Sequence, residues 1–392
     1  NDPTQDLTVF APTNAAFEAV LDALGKTSID DIPVQLLKEI VSYHILGSAV
    51  TSGQLANGDV ETLLAGESVT VDLSNGVMIN NANVTAADIS AVNGVIHVLD
   101  AVLLPSYVAL AVGTVSEVVL FEKDFTILAA ALRKAELLDV VSTTDNITVF
   151  APDNAAFIAA GITSLEGLEK EDLTPILTYH VLGAKVLSSQ LPASGMATTL
   201  NGGKIYLGYL FNSRVLINGL TEITAVDIEK SNGVIHVIDR TLVPPAPNVV
   251  EIALALADNG DASEFTVLVS LLASETYADI TAAIIAAENI TVFAPTDAAF
   301  EAIADVIPTL TETQIRTILT YHAAGARVFS SDLVQGQNII MLNGQTLKVE
   351  SIIDDLIVLK DKSDDTAIVV ERNVHGSNGV VHAVDKVLIP EL

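Results

Sequence analysis

One ordered set of three short phrases occurs three times in this chain. The first phrase, Thr-Val-Phe-Ala-Pro, begins at Thr8, Thr148 and Thr291. The second phrase, Tyr-His, begins at Tyr43, Tyr179 and Tyr321. The third phrase, Asn-Gly-Val followed by an aliphatic residue and His, begins at Asn93, Asn232 and Asn378. Successive copies lie about 140 residues apart, which is longer than a solenoid repeat and long enough to bury a separate core. The sequence therefore predicts three tandem domains.

Proline marks the predicted domain boundaries. Each copy closes on a Leu-x-Pro phrase, which ends at Pro105, Pro244 and Pro390. We therefore divide the chain into repeat 1 (residues 1–105), repeat 2 (residues 106–245) and repeat 3 (residues 246–392). Repeat 1 has only nine residues before Phe10, whereas the matching segments of repeats 2 and 3 carry helical stripes of apolar side chains. We expect the protein to extend upstream, and repeat 1 to expose apolar surface that its siblings cover or to borrow a cover.

Each repeat reads as an α+β domain. The first phrase predicts a short buried strand, followed by a helix whose N-cap side chain accepts a backbone hydrogen bond. A second helix is predicted from Leu36 to His44, ended by a left-handed glycine. β-type runs follow, and the Asn-Gly pair predicts a tight turn before the last strand. The predicted N-caps are Thr13, Asp153 and Thr296. The predicted glycine caps are Gly47, Gly183 and Gly325.

Acidic side chains dominate the charge. The chain has 49 acidic against 18 basic residues and a net charge of −31. A polyanion of this kind repels nucleic acid and anionic lipid surfaces, so neither is an expected partner. In the plainest interpretation, the acids keep soluble a protein in which half of the residues are apolar. Cysteine is absent, which removes disulfides, thiol nucleophiles and thiolate metal sites.

Export and membrane signals are not visible in the sequence. No apolar run approaches the roughly 20 residues that a bilayer span needs. The start of the sequence lacks the basic and apolar regions of a signal peptide. If the protein is exported, we expect that signal to have been removed or to lie upstream.

Six histidines recur at equivalent positions. His44 follows Ile40 and Val41 at separations of four and three, which places its ring on the apolar stripe of a helix. His97 lies inside the apolar last strand. Because a buried imidazole normally has hydrogen-bond partners, we interpret these rings as structural core supports. The six are His44, His180, His322, His97, His236 and His382. His375 has no counterpart, and we expect it to be exposed and without a role.

No catalytic signature is found. The sequence has no Gly-x-Ser-x-Gly elbow, no His-Glu-x-x-His, no phosphate-binding glycine loop and no dinucleotide glycine pattern. Two acidic segments, residues 258–264 and 361–365, offer several oxygen ligands but do not match the twelve-residue EF-hand loop. We therefore predict no metal site, no cofactor and no enzymatic activity, and calcium binding by the acidic loops stays open.

The three phrases in this order resemble the fasciclin domain family over essentially the whole chain. The resemblance implies a compact wedge of mostly antiparallel β-strands decorated with helices, an extracellular or cell-surface location, and adhesion to cells, matrix or partner proteins. In some members the Tyr-His neighbourhood and an Asp-Ile pair are associated with receptor binding. The matching positions are Asp88, Ile89, Asp227, Ile228, Tyr43, Tyr179 and Tyr321. Repeat 3 departs from the pattern, with Asn373 and Val374 in place of Asp-Ile.

We therefore predict a non-enzymatic, secreted or surface-tethered protein that mediates adhesion or assembly through its domain surfaces. Expected partners are cell-surface or matrix proteins, with polysaccharide as a further candidate. The acidic charge favours basic or cation-bridged partners. A membrane tether would lie in an upstream segment. The alternative is a carbohydrate- or small-ligand-binding module with a defined pocket.

Overall fold

The computed structural model describes residues 6–191, 195–209, 214–245, 247–260, 264–353 and 356–392. Its contacts form two compact units. Unit 1 combines the chain up to Ser188 with Thr224–Thr241, and unit 2 combines Ser189–Ile223 with Leu242–Leu392. The boundaries between the three repeats, at residues 105 and 245, stay predictions.

Every repeat contains a seven-stranded sheet. The strands of repeat 1 are β1 (Leu7–Pro12), β2 (Ile45–Leu46), β3 (Gly58–Glu61), β4 (Ser68–Asp72), β5 (Met78–Ile79), β6 (Ala82–Ala91) and β7 (Gly94–Leu99). The strands of repeat 2 are β8 (Ile147–Pro152), β9 (Val181–Leu182), β10 (Gly195–Thr198), β11 (Lys204–Tyr209), β12 (Val215–Ile217), β13 (Thr221–Lys230) and β14 (Gly233–Ile238). The strands of repeat 3 are β15 (Ile290–Pro295), β16 (Ala323–Ala324), β17 (Asn338–Ile340), β18 (Thr346–Ile353), β19 (Leu356–Lys360), β20 (Thr366–His375) and β21 (Gly379–Val384).

Helices accompany each sheet. Repeat 1 has α1 (Asn14–Ala23) and α2 (Val34–Tyr43). Repeat 2 has α3 (Ser106–Ala111), α4 (Val115–Phe121), α5 (Thr126–Lys134), α6 (Leu138–Thr143), α7 (Asn154–Ala159) and α8 (Lys170–Tyr179). Repeat 3 has α9 (Val249–Ala257), α10 (Thr266–Leu272), α11 (Ala278–Ala286), α12 (Asp297–Glu301) and α13 (Glu312–Tyr321).

The three sheets share one topology. Their orders are β2-β1-β7-β6-β5-β4-β3, β9-β8-β14-β13-β12-β11-β10 and β16-β15-β21-β20-β19-β18-β17. In each sheet the first long strand and the last strand run parallel, as β1 and β7 do, and the other recorded pairs of named strands are antiparallel. A parallel pair needs a long crossover connection, and here that connection contains every other strand of the sheet and the helices that follow the first long strand. The predicted α+β class, with mostly antiparallel strands and accompanying helices, is confirmed.

The predicted N-caps are confirmed. Thr13 Oγ1 accepts from the backbone N–H of Ala16 at 3.3 Å, and the cap residue has extended backbone angles. Asp153 and Thr296 make the same bond at 2.7 and 3.2 Å. These bonds satisfy one of the free N–H groups at each helix start.

The predicted left-handed glycine caps are wrong. Helix α2 ends at Tyr43, and the chain passes through His44, whose φ is −85°, directly into β2. None of the three predicted glycines has a positive φ. Strand pairing explains the difference, because Phe10 N on β1 donates to His44 O at 2.9 Å and ties the helix end to the sheet.

The glycine of each Asn-Gly pair is required by a close approach between strands. A two-residue turn does join β6 to β7, as predicted. However, a Cβ on Gly94 would lie 1.9 Å from the backbone oxygen of Leu7 on the parallel neighbour β1. The corresponding distance is 2.3 Å at both Gly233 and Gly379. A side chain at this position would therefore push the central parallel pair apart.

Repeat 1 borrows part of its helical cover within unit 1. One buried apolar cluster joins side chains of α1 and α2 to those of α3–α6. Glu39 on α2 accepts hydrogen bonds from Tyr107 Oη at 2.5 Å and from Arg133. Lys26 pairs with Glu122 at 2.6 Å. Burial, and then the hydrogen bond to Glu39, raises the pKa of Tyr107. Helices of repeat 2 thus cover apolar side chains of repeat 1, as expected.

The borrowed cover is incomplete. Val41 on α2 is 57% exposed, whereas its counterparts Leu177 and Leu319 are buried. Val92, in the β6–β7 turn, is fully exposed. The apolar stripe assigned to α2 is therefore wrong at Val41, since that stripe needs a helical cover to become buried. Repeat 1 both borrows a cover and leaves apolar surface open.

Within the described residues, no single helix has the length and apolar composition of a membrane span. One pair, Thr266–Leu272 with Glu275–Ala286, reaches both only when the two helices are taken together, and they are bent by 70°.

Replacing Gly233 by Ala tests the close approach of the parallel strands. We expect Gly233→Ala to lower the free energy of unfolding by about 1–3 kcal/mol, because the new Cβ would meet a backbone carbonyl that has no room to move. Urea unfolding followed by circular dichroism measures the loss. Gly53→Ala is the matched control, since its backbone is not left-handed and no described atom lies within 4 Å of the added Cβ. Equal losses in the two variants would contradict this explanation.

Candidate functional site

The three repeated phrases meet at one place in each repeat. In repeat 1, Phe10 of the first phrase is the register partner of His97 of the third, and their ring centroids lie 5.8 Å apart. The helix that carries the second phrase ends against the same strand, through the bond from Phe10 N to His44 O. Equivalent ring pairs, at 5.7 and 5.5 Å, are Phe150 with His236 and Phe293 with His382.

The threonine of the first phrase joins this centre to the loop after β2. Thr8 is fully buried. Its Oγ1 donates to Ser48 O at 2.7 Å and accepts from Val50 N at 2.8 Å. Thr148 and Thr291 make the corresponding pairs of bonds. The hydroxyl therefore fixes the loop after β2. The oxygen of Val50 in this loop also accepts a hydrogen bond from His97 of the last strand.

The histidine of the Tyr-His phrase is a buried link between backbone groups. His44 Nδ1 donates to Ile40 O at 2.7 Å, and Nε2 accepts from Leu103 N at 2.9 Å. His322 bonds Ile318 O and Leu388 N in the same way. These bonds require the neutral ring with its proton on Nδ1. Each ring thus holds its helix to the closing Leu-x-Pro segment.

Burial also sets the protonation state of these rings. It lowers the pKa of His180 and of His322 to about 4, against the smaller opposing effect of the bond to a backbone carbonyl. It also lowers the pKa of His44. Protonating Nε2 would replace this acceptor by an N–H donor that faces a backbone N–H donor. The fold therefore needs the neutral ring.

The adjacent tyrosines offer little to a partner. Tyr43, Tyr179 and Tyr321 are all buried. The hydroxyl of Tyr43 donates to Ser68 O, and that of Tyr321 donates to Thr346 O, both at 2.9 Å. Burial raises the pKa of the Tyr43 and Tyr321 hydroxyls. Binding through these rings stays a prediction, and their burial argues against direct contact.

The histidine in the last strand bonds in the opposite tautomer. His97 Nε2 donates to Val50 O at 2.9 Å, and Nδ1 accepts from Asp88 N at 3.4 Å. His236 and His382 repeat both bonds. Asp88 lies at a bulge of β6, where its φ is +60°. The ring therefore stabilises a left-handed residue in the middle of a strand.

The acid of the Asp-Ile pair is held by its own repeat. Asp88 accepts from Ser52 N at 2.7 Å and from Ser52 Oγ at 2.5 Å, and this serine begins the 3₁₀ turn Ser52–Gln54. Asp227 makes the same two bonds to Ser188. These hydrogen bonds lower the pKa of both carboxyl groups. The neighbouring Ile89 is 45% exposed, whereas Ile228 is half-buried.

The asparagine of the Asn-Gly phrase clamps two helices in repeats 2 and 3. Asn232 Oδ1 accepts from Val115 N at 2.8 Å, and Nδ2 donates to Val141 O at 2.8 Å. Asn378 bonds Val249 N and Ile284 O in the same way. Sequence reasoning treated this residue only as a turn former. The helical segments before the first strands of repeats 2 and 3 could be predicted from the sequence. The asparagine that forms hydrogen bonds with these helices could not.

Repeat 1 leaves the corresponding position open. In the described residues, the side chain of Asn93 makes neither of these helix contacts. Ile89 and Val92 beside it are exposed. We call these three residues, Ile89, Val92 and Asn93, the β6–β7 patch.

The acidic loops are occupied by internal contacts. Asp361 accepts from Ser363 N at 2.8 Å and from Ile389 N at 2.8 Å, and Asp365 pairs with Lys386 at 2.8 Å. In the other loop, Asp261 lies outside the described residues. Over the described ranges, no group of three or more His, Asp or Glu side chains is arranged to hold a metal ion.

The expectation that His375 is exposed is wrong. It is the last residue of β20 and is half-buried, with its ring 5.8 Å from Tyr206 and 5.5 Å from Phe329. Burial, and then the nearby charge of Arg327, lowers the pKa of His375 to about 3. The sequence could not reveal this contact, because Tyr206 belongs to another repeat.

The buried histidines predict a pH-dependent stability. The folded pKa of His322 is about 4, below the ordinary value of 6.5, so the unfolded chain binds more protons between these two values. Stability is therefore full above about pH 6.5 and falls as the pH drops toward 4, by up to about 1.4 kcal/mol per pH unit for each such ring. Urea midpoints measured between pH 7 and 5 test this slope.

His322→Gln provides the comparison, because an amide does not titrate in this range. We expect it to lower stability at pH 7, since the new side chain does not reproduce both backbone bonds. We also expect it to flatten the pH slope. An unchanged slope would show that His322 does not contribute to the pH dependence.

Comparisons with known proteins agree with the repeated phrases. The Fasciclin domain model matches residues 1–105, 123–244 and 263–390. Periostin of Homo sapiens is 26% identical over 396 residues, which cover 98% of this chain and 43% of periostin. Transforming growth factor-beta-induced protein ig-h3 of Sus scrofa is 24% identical over 390 residues, which cover 98% of this chain and 53% of that protein. The chain thus spans about half the length of these curated relatives.

A shorter protein and a solved structure are also similar to parts of this chain. Protein sll1483 of Synechocystis is 37% identical over 136 residues, 34% of this chain and 74% of that protein. A solved FAS1 domain pair from the insect cell adhesion molecule Fasciclin I is 16% identical, with a TM-score of 0.34, over 68% of this chain and 97% of that chain. Since the family model matches most of the sequence, in three places that each contain the repeated phrases, this chain belongs to the fasciclin domain family.

Proposed function

We propose that this protein is a non-enzymatic adhesion or assembly protein, secreted or held at the cell surface, which binds partner proteins through the surfaces of its fasciclin domains. Family membership supports this proposal, and the solved family member Fasciclin I is a cell adhesion molecule. The repeated polar side chains support it as well. These side chains form hydrogen bonds within their own repeat, as those of His44, His97 and Asp88 illustrate.

The observation that carries the proposal is the β6–β7 patch of repeat 1. Val92 is fully exposed and Ile89 is 45% exposed. Apolar side chains exposed together on a folded domain favour contact with another protein, because burying them removes apolar area from water. The adjacent Asn93 side chain adds a donor and an acceptor, which in the other repeats receive helix ends. We therefore propose this patch as a contact for a protein segment, supplied by a partner or by the upstream chain that the sequence leads us to expect.

The net negative charge of the chain limits which kinds of partner protein are expected. At a net charge of −31, the protein attracts basic surfaces and repels acidic ones. A basic matrix protein, or an acidic one bridged by divalent cations, fits this field. Attraction between exposed charges weakens as salt is added, since the screening length falls to about 8 Å at physiological ionic strength.

The second candidate function is polysaccharide or small-ligand binding. It needs a concave site with a few convergent polar groups. A cleft in unit 2 has a volume of about 600 Å³ and is lined by polar side chains that include Asn201, Lys204 and Glu288. The second function is therefore kept as an arm of the binding test.

Polar substitutions in the patch test the proposed contact. We expect the double variant Ile89→Asn, Val92→Asn to reduce binding of protein-coated beads to immobilised matrix proteins by at least about fivefold, since two anchoring side chains are lost. The control is Val306→Asn with Ile340→Asn, which changes two other exposed apolar residues. Immobilised alginate provides the polysaccharide arm.

The outcomes separate the two functions. Loss of matrix-protein binding in the patch variant alone supports the proposal. Equal loss in both double variants would show that exposed apolar side chains act without a defined site. Binding to alginate alone, unaffected by either change, would favour the polysaccharide function instead.

A further inference from the structure

Repeat 3 differs from its siblings at several positions that surround one surface. Counting along the equivalent loops, Arg327 replaces Ala49 and Lys185, and Phe329 replaces Thr51 and Leu187. On the bulged strand, Asn373 replaces Asp88 and Asp227, and His375 replaces Ser90 and Glu229. All four side chains contact Tyr206 on β11 of repeat 2 or Gly219 in the turn after β12, within unit 2.

Tyr206 on β11 is the centre of this contact. Its ring centroid lies 4.6 Å from the Arg327 guanidinium carbon, 5.6 Å from the ring of Phe329 and 5.8 Å from the ring of His375. The guanidinium is fixed in place, because it donates to the backbone oxygens of Gly376 and Gly379 at 3.0 and 2.7 Å. A cation held over an aromatic ring is favourable, more so where water is excluded.

Asn373 supplies the selective hydrogen bond. Its Oδ1 accepts from Ser330 N at 2.7 Å, which keeps the local role of the acid in the other repeats. Its Nδ2 donates to Gly219 O of repeat 2 at 2.9 Å. A carboxylate has no hydrogen to donate and would place an oxygen against that carbonyl. The amide therefore fits this neighbour where an aspartate does not.

The repeat 2 side of the contact is shaped to match. A Cβ on Gly219 would lie 2.8 Å from Phe329 Cβ and 2.9 Å from Asn373 Nδ2. A Cβ on Gly208 would lie 2.8 Å from Ser331 Oγ. At the positions that correspond to Tyr206 and Gly208, repeat 1 has Thr70 and Asp72, so it lacks both the ring and the close approach.

We propose that this surface of repeat 3 is a receptor specific for Tyr206, Gly208 and Gly219 of repeat 2, and that Asn373 determines the specificity. The receptor occupies the counterpart of the Asp88–Ile89 surface of repeat 1. In repeat 3 that surface is thus closed to other proteins by a neighbour within the chain. Partner binding through it is confined to the repeats that keep the aspartate.

Spin-label distances in the full chain test the receptor. Because the sequence has no cysteine, Leu200→Cys and Val306→Cys, both at exposed positions in unit 2, give one defined pair. We expect a single narrow distance distribution in this labelled chain. In the Asn373→Asp variant we expect a distribution about twofold broader, because the docked segment is released.

Asn373→Asp should still fold, which keeps the test interpretable. Asp88 and Asp227 hold the same left-handed conformation, at φ values of 60° and 59°, and make the same bond to a serine N–H. An unchanged thermal unfolding transition of repeat 3 provides the check. Broadening with intact unfolding supports the receptor, and an unchanged narrow distribution overturns it.

A pair of glycine variants tests the contact from the other side. Gly219→Ala and Gly202→Ala impose the same backbone strain, since φ is +72° and +84°, but no described atom lies within 4 Å of a Cβ at Gly202. We expect only Gly219→Ala to broaden the distance distribution. Equal broadening in both would mean that strain acts without the docking contact, and the proposal would fail.

Discussion

The parallel pairing of the first and last strands is the constraint on which each repeat depends. It aligns Phe10 with His97, Phe150 with His236 and Phe293 with His382. Because parallel strands need a long connection, the pair brings together residues that lie more than 80 positions apart in sequence. The two histidine links hold the middle of that connection, at His44 and Val50, to the closing segment and to the last strand. The repeated phrases are therefore the signature of a closed topology rather than of a chemical site.

This constraint separates two kinds of position. A position whose side chain bonds only within the repeat supports the fold, as the two backbone bonds of His44 show. Positions whose side chains contact solvent or a neighbouring repeat are less constrained by the fold, so their residue types can differ between the copies. Val41 and Val92 are exposed in repeat 1, while repeat 3 places Arg327 and His375 against a neighbour. We therefore propose that binding by this chain depends on such differences between copies.

Sequence reasoning reached the local features and missed the tertiary ones. Thr13, Asp153 and Thr296 were identifiable as N-caps, because capping depends on residues three positions apart. The left-handed cap predicted at Gly47 failed because a strand, through Phe10 N, takes over the helix end. The clamp role of Asn232 depends on helices about 90 and 117 residues away in sequence. No periodicity reports such contacts.

The residue at the bulge, which has a positive φ, shows how one side-chain atom distinguishes two kinds of position. One kind bonds only within its own repeat, and the other also bonds a neighbouring repeat. At the same φ, Asp88 and Asp227 use both carboxylate oxygens on their own serine. Asn373 accepts from the N–H of its serine through Oδ1, and its Nδ2 donates both to the Oγ of that serine and to Gly219 O. The exchange leaves the local fold intact and adds a directed bond to a neighbour. A carboxylate at this position bonds its own serine through both oxygens and has no N–H to offer a neighbouring backbone carbonyl, so the contact with repeat 2 depends on the amide.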